Sequence, residues 1–199
     1  MDAAVNVIAR EGFETPTANE IAREADIAHG TFYLHFKDRD ELSNAVVIEI
    51  ARDVASQLNA SLEGVTDPAE RCVWATRQFI EYGYAHRELG WAFYRGIWVS
   101  PELRQRSLDY MRADIQSGVD AGMFKVEVDD LLLRAVVSMV AACLFARLSE
   151  EEGPECGCRA GELQLRMLGV PLEKAREIAW RPYEGFDATT LEPTASAKG

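Results

Sequence analysis

Apolar residues recur along this chain at spacings of three and four, with polar residues between them, and no stretch sustains the two-residue alternation of a strand. Residues 2–11 set Val5 and Ile8 on one side and end at Gly12. "TANE", Thr17 to Glu20, has the spacing of a capping box: the Thr17 hydroxyl accepts from the Glu20 amide while the Glu20 carboxylate reaches back. The helix it opens runs to about Ala25, and residues 28–35 form a third short one. Asp38 and Glu41 repeat the box at the head of a long fourth helix, along which Leu42, Val46, Ile50, Val54 and Leu58 share one side.

Further along, Asp67-Pro68-Ala69-Glu70 combines an N-cap, a proline at the first helical position and an acid in the first turn. Ser100-Pro101-Glu102 begins another helix. Asp129 and Asp130 suit the positive end of the helix that carries "AVVSMVAACLFA", between Arg134 and Arg147. That run is apolar nearly all round, so it must be buried on more than one side. "LGVP", Leu168 to Pro171, stops a helix, and a last short one reaches about Trp180. The tail beyond Arg181 lacks periodicity and is expected to be poorly ordered. The pattern predicts an all-α protein with a boundary near Gly64, small helices before it and longer, aromatic-rich ones after.

The second and third helices, joined by a turn at "ADIA", have the proportions of a helix-turn-helix. Over two turns the apolar positions that must face inward are Ile27, Phe32 and Phe36. His29, Gly30, Thr31, Tyr33, Leu34 and His35 are left toward a DNA groove or its walls. Gly30 permits close backbone approach, and Thr31, Tyr33 and His35 carry groups that hydrogen-bond phosphate oxygens. Lys37 adds charge beside free backbone amides.

The stretch "GFETPTANEIAREADIAHGTFYLHFKDRDEL" resembles the DNA-binding domain of the tetracycline-repressor (TetR) family of bacterial transcriptional regulators, above all in Gly30-Thr31-Phe32-Tyr33-Leu34-His35-Phe36-Lys37. The likeness covers residues 3 to about 48. It implies a DNA-binding domain over 1–48, an effector-binding and dimerisation domain over 49–182 and a flexible tail over 183–199. It also implies a homodimer whose recognition helices enter successive major grooves of a near-palindromic operator, about 34–36 Å or somewhat more apart. By position, Thr17 matches a phosphate-binding hydroxyl, and Thr31, Tyr33, His35 and Lys37 match backbone or base contacts. The chain departs from the family at His29, where lysine is usual, and at Ala28, where a capping serine is usual. No basic residue stands before Arg10, where the family commonly carries a basic arm.

Charge changes the picture of how DNA would be held. The chain carries a formal net charge of −12, and within residues 1–60 five basic side chains stand against eleven acidic ones. Operator binding must then rest on oriented amides, hydroxyls and a few local cations, with a shallow salt dependence. The apolar run falls short of the roughly 20 residues a bilayer requires. Asp2 stands where a signal peptide carries basic residues, so a soluble cytoplasmic protein without membrane association is expected.

From Arg71 to Val99 the chain carries Trp74, Phe79, Tyr82, Tyr84, Trp91, Phe93, Tyr94 and Trp98. Aromatics at this density either fill a helical core or line a ligand cavity between helices. Given the resemblance, Trp74, Phe79, Tyr82, Trp91, Tyr94 and Trp98, with Met139 from the apolar helix, are the candidate pocket for a hydrophobic or aromatic effector. Arg95 and His86 are candidates to meet an anionic group or to be solvated. The resemblance further implies a dimer interface built from helices over roughly 129–149 and 158–168, with Val136, Val140 and Leu144 from the first and Leu163 and Met167 from the second. The fourth helix is the natural lever between recognition segment and pocket.

Cys72 and Cys143 read as small hydrophobes. Cys156 and Cys158 flank Gly157 in an acidic segment that reads as a solvated connection, although two thiols so placed also suit a thiol- or metal-responsive regulator. No nucleophile elbow, phosphate-binding glycine loop or His-Glu-x-x-His pair is present, and His29, His35 and His86 lack the spacing of metal ligands. An enzyme is therefore not expected, nor a cofactor or metal. A helical protein-interaction module without DNA binding is the other class that the acidity would suit.

Overall fold

A computed structural model describes residues 39–182 of the chain. Seven helices follow one another there: α1 (Arg39–Ser61), α2 (Pro68–Ala85), α3 (Arg87–Val99), α4 (Pro101–Asp120), α5 (Asp130–Leu148), α6 (Cys156–Met167) and α7 (Leu172–Ala179). No strand occurs among the described residues. The chain divides into two compact units between Gln57 and Leu58, inside α1.

The helix starts follow from local chemistry. Asp67 caps α2, its carboxylate accepting from the amides of Ala69 at 2.8 Å and Glu70 at 3.1 Å, and Pro68 occupies the first turn, where no amide is needed. The Ser100 hydroxyl accepts from the Leu103 amide at 3.2 Å to start α4. Asp129 accepts from Leu132 at 2.7 Å to start α5. On α1, Val46, Ile50, Val54 and Leu58 of the predicted stripe are buried, and the Leu42 side chain lies outside the described ones.

The second unit is organised around α2, which packs against α3, α4, α5, α6 and α7. Its contact with α6 is the most extensive, and sequence explains why. Gly157, Ala160 and Gly161 remove bulk from one side of α6, so that a β-carbon at Gly161 would come within 2.9 Å of Val73 Cγ1. Backbones this close leave room for little else, and the polar residues enclosed are paired: the buried Thr76 hydroxyl donates to Gln164 Oε1 at 2.7 Å. A second close approach lies where α2 turns into α3. A β-carbon at Gly90 would sit 2.3 Å from the Gly83 carbonyl oxygen, so only glycine fits.

Helix α7 is held to α6 by one buried carboxylate. Glu162, 1% exposed, accepts from Arg159 at 2.6 Å and from the Trp180 indole at 3.2 Å, with Arg176 at 3.6 Å. Burial pushes this carboxyl up, but the indole hydrogen bond and the two guanidinium groups outweigh it and hold the group below the usual carboxylate range.

Helix α5 departs from one expectation. At 19 residues it is, by length and composition, apolar enough to cross a membrane. In the fold one side of it is packed by α2, α3, α4 and α6, with Leu133, Val136, Val137, Val140, Ala141, Leu144 and Leu148 buried.

Candidate functional site

The proposed DNA-contacting residues Thr17, His29, Gly30, Thr31, Tyr33, Leu34, His35 and Lys37 lie outside the described residues, as does the 183–199 tail. The candidate effector residues lie within them. Trp74, Phe79, Tyr94 and Met139 pack against the core while keeping part of their surface open. Phe79 stacks on Phe93, ring centroids 6.0 Å apart and planes within 20°. On the side of α3 that meets α5, Trp91 stands edge-on to Tyr94 at 6.1 Å and to Phe145 at 5.7 Å, and Tyr94 approaches Phe145 at 5.2 Å. The spacing of three between Trp91 and Tyr94 puts both on one face of α3. Phe145 completes this trio from α5; no sequence spacing singled it out, because it ends a run in which nearly every residue is apolar.

Two candidate residues belong elsewhere. Tyr82 is fully enclosed, its ring 4.4 Å from that of His86, and serves the interior. Trp98 does not join an enclosed site. It is 53% exposed, because the buried face of α3 runs through Leu89, Phe93, Gly96 and Ile97, and the next residue turns about 100° away from it. Of the two candidate cations, Arg95 is exposed and His86 sits against Tyr82. Two other guanidinium groups lie over the Tyr84 ring, Arg87 at 5.4 Å and Arg147, at the end of α5, closer in. Arg147 is buried, lies 3.4 Å above the Tyr84 ring, and pairs with Glu81 at 3.4 Å.

The interface residues named on α5 also need correction. Val136, Val140 and Leu144 are buried within the single chain. The surface that α5 leaves open is the opposite one, with Leu131 (75% exposed), Arg134, Ala135 and Ala142. On α6, Leu163 and Met167 stay half-buried.

At the other end of the unit, the last turn of α1 is tied down by polar contacts. Arg71 of α2 donates through Nε to Asp114 of α4 at 2.8 Å, through Nη1 to the Leu62 carbonyl at 3.0 Å, and through Nη2 to Asn59. The Ser61 hydroxyl and the buried Gln78 amide exchange hydrogen bonds at 3.0 and 3.2 Å. These bonds join the end of α1 to α2 and, through Arg71, to α4. Sequence reading assigned α1 a lever's role but gave no sign of Arg71.

The "CGC" segment is not a solvated connection. Cys156 and Cys158 occupy the first turn of α6, with Cys156 buried and Cys158 half-buried. Among the described residues no group of three or more His, Cys, Asp or Glu side chains could hold a metal ion.

A helical sensor domain of this build, following a Gly-Thr-Phe-Tyr-Leu-His-Phe-Lys recognition segment, defines a class of ligand-responsive transcriptional regulators. Residues 1–46 match the family described as "Bacterial regulatory proteins, tetR family", and residues 67–181 match "Tetracyclin repressor-like, C-terminal domain". The chain belongs to the TetR family. Among solved structures it is similar to RolR in complex with resorcinol, with 30% identity, 90% of each chain covered and a TM-score of 0.79. RolR without ligand gives 27% identity, 90% of this chain and 94% of that one, and a TM-score of 0.73. Among curated proteins it is similar to the HTH-type transcriptional regulator HbdR of Aromatoleum sp. (strain CIB), 31% identical over 78 residues. That match covers 38% of this chain and 34% of HbdR, so it spans about a third of the relative's length.

Proposed function

We propose that this protein is a cytoplasmic homodimeric repressor, released from a near-palindromic operator by a small aromatic effector. The observation that carries the effector class is twofold. RolR, similar over 90% of both chains, is solved with resorcinol, and this chain keeps half-open aromatic and thioether side chains on α2, α3 and α5 that an aromatic ring would cover. Trp91, Tyr94 and Phe145 would grip the ring by edge and face contacts, and the Tyr94 hydroxyl would meet a phenolic group. Dimerisation is supported by the apolar surface that a single chain leaves uncovered on α5 and α6: Leu131, Ala135 and Ala142, with Leu163 and Met167 beside them.

On DNA, Thr17, His29, Gly30, Thr31, Tyr33, Leu34, His35 and Lys37 would supply phosphate and base contacts. The effector would act by favouring a conformation of the sensor domain in which the two recognition helices no longer match the half-sites. Arg71 would pass that change to α1. A differential affinity of a few kcal/mol suffices for release.

Anisotropy of labelled DNA taken from upstream of the protein's own gene tests this reading. Binding with a shallow dependence on potassium chloride, lost on adding resorcinol or a related hydroxybenzene, is the expected result. A steep salt slope would show that the proposed contacts are wrong, and no binding at any salt would favour a helical interaction module. In Arg71→Met the account expects effector binding to persist while effector-driven release is lost.

A further inference from the structure

Cys156 does not pair with Cys158, its neighbour in sequence. Two residues apart on the first turn of α6, their side chains diverge by about 200°, and Cys156 turns inward toward α5. There its Sγ donates to the carbonyl oxygen of Cys143 at 3.3 Å. Cys143 Sγ lies in turn 3.7 Å from Met139 Sδ. The Cys156 side chain, at the start of α6, thus packs on Cys143 of α5, with residues 149–155 the only chain between the two helices.

The two thiols are not equivalent. Cys143 is half-buried and Cys156 buried. The neighbouring Cys156 side chain holds the Cys143 thiol below its ordinary range, against burial and Glu152. Cys156 is pushed up by its neighbour Cys143 and by burial. Cys72, the deeply buried thiol of α2, is pushed up by burial and by Asp114. The pair therefore has one more accessible sulfur and one enclosed neighbour packed on the same residue, the division of labour that a peroxide-reactive dithiol needs.

We propose that Cys143 and Cys156 form an oxidisable dithiol which hydroperoxides convert to a disulfide, stapling the end of α5 to the start of α6. The chemistry balances in two steps. The Cys143 thiolate attacks the distal peroxide oxygen; an S–O bond forms, the O–O bond breaks, and the departing alkoxide takes a proton to become an alcohol, or water from hydrogen peroxide. The Cys156 sulfur then attacks the sulfenic sulfur; the S–S bond forms, the S–O bond breaks, and the Cys156 proton leaves with the hydroxyl as water. Two electrons pass from the dithiol to the peroxide, and no further reductant or oxidant is required. The proposal stands apart from DNA binding and from the identity of the effector.

The test uses the full-length reduced protein treated with equimolar hydrogen peroxide, followed by alkylation and peptide mapping by mass spectrometry. The expected product is one intramolecular cross-link between the Cys143 and Cys156 peptides, two hydrogens lighter than the reduced pair, with Cys72 and Cys158 still alkylated. Oxidation of Cys143 should run at least about tenfold faster than that of Cys72. In Cys156→Ser the reaction should stop at a Cys143 sulfenic acid that dimedone captures, and Cys158→Ser should behave as the parent chain. Should Cys156→Ser fail to fold, the cross-link map and the melting temperature of the parent chain decide the matter. Closing so short a loop should raise the oxidised form's melting temperature by roughly 5–10 °C. A Cys156–Cys158 bridge, an exclusively intermolecular bridge, or thiols that remain reduced while Cys158 oxidises would each overturn the proposal.

Discussion

The α2–α6 contact and the α3–α5 face are both helix packings in one unit, yet they are built on opposite plans. The first is lined with glycine, alanine and a paired threonine and glutamine, and the backbones close until no side chain can be added. The second is lined with Trp91, Tyr94 and Phe145, rings that touch by their edges and keep part of their surface open. Small residues fix a geometry; large half-buried rings leave room to rearrange around a guest. The difference separates scaffold from sensor, and it can be broken or sharpened by substitution.

The largest effect is expected at the tightest backbone approach. Gly90→Val would drive its side chain into the Gly83 carbonyl, at a cost of about 3 kcal/mol or more. Urea unfolding should show it, and a loss below about 1 kcal/mol would mean that the α2–α3 corner is looser than described. Thr76→Val strips Gln164 of its buried partner and should cost about 1–3 kcal/mol in the same measurement.

Glu162 makes the scaffold side pH-sensitive. Its folded pKa is depressed, so its contribution to stability is present above the unfolded carboxylate value of about 4.3 and is lost as pH falls through the lower folded value. Glu162→Gln should therefore melt lower than the parent chain at neutral pH. The gap should narrow as both are acidified from about pH 5 downwards. Parallel melting curves across that range would contradict the role given to this carboxylate.

The smallest stability effect is expected on the sensor face. Tyr94→Phe should leave the unfolding free energy within about 0.5 kcal/mol of the parent. It should nevertheless weaken resorcinol binding by about five- to tenfold, as loss of one hydrogen bond to a phenol would. Calorimetry showing unchanged affinity would remove the Tyr94 hydroxyl from the site.

How much of this was legible in the sequence depends on the range over which each feature is decided. Helix starts at Asp67, Ser100 and Asp129 are settled within three residues, and each helix begins where it was read, with the side chain capping it. The stripe on α1 needs only its own period, and Val46, Ile50, Val54 and Leu58 are buried accordingly. Features decided by neighbouring helices were harder. In α5 nearly every residue is apolar, so periodicity could not say which face turned inward, and Val136, Val140 and Leu144, read as interface residues, are buried within the chain. Trp98 looked like its aromatic neighbours until α3 showed where its buried face ran. Arg71, Arg147 and the Cys143–Cys156 contact join residues 43, 66 and 13 positions apart, and composition carries no trace of them.

The claim at the centre of this account is that the sensor domain accepts a small aromatic ring. Quenching of tryptophan fluorescence measures it most directly, with the full-length protein titrated in parallel with resorcinol and with stearoyl-CoA, the ligand of a solved fatty-acid regulator that shares the fold at 18% identity. The account predicts saturable quenching by resorcinol or another hydroxybenzene, weakened in Tyr94→Phe, and no saturable response to the acyl thioester. Saturation by stearoyl-CoA with no response to any hydroxybenzene would contradict it.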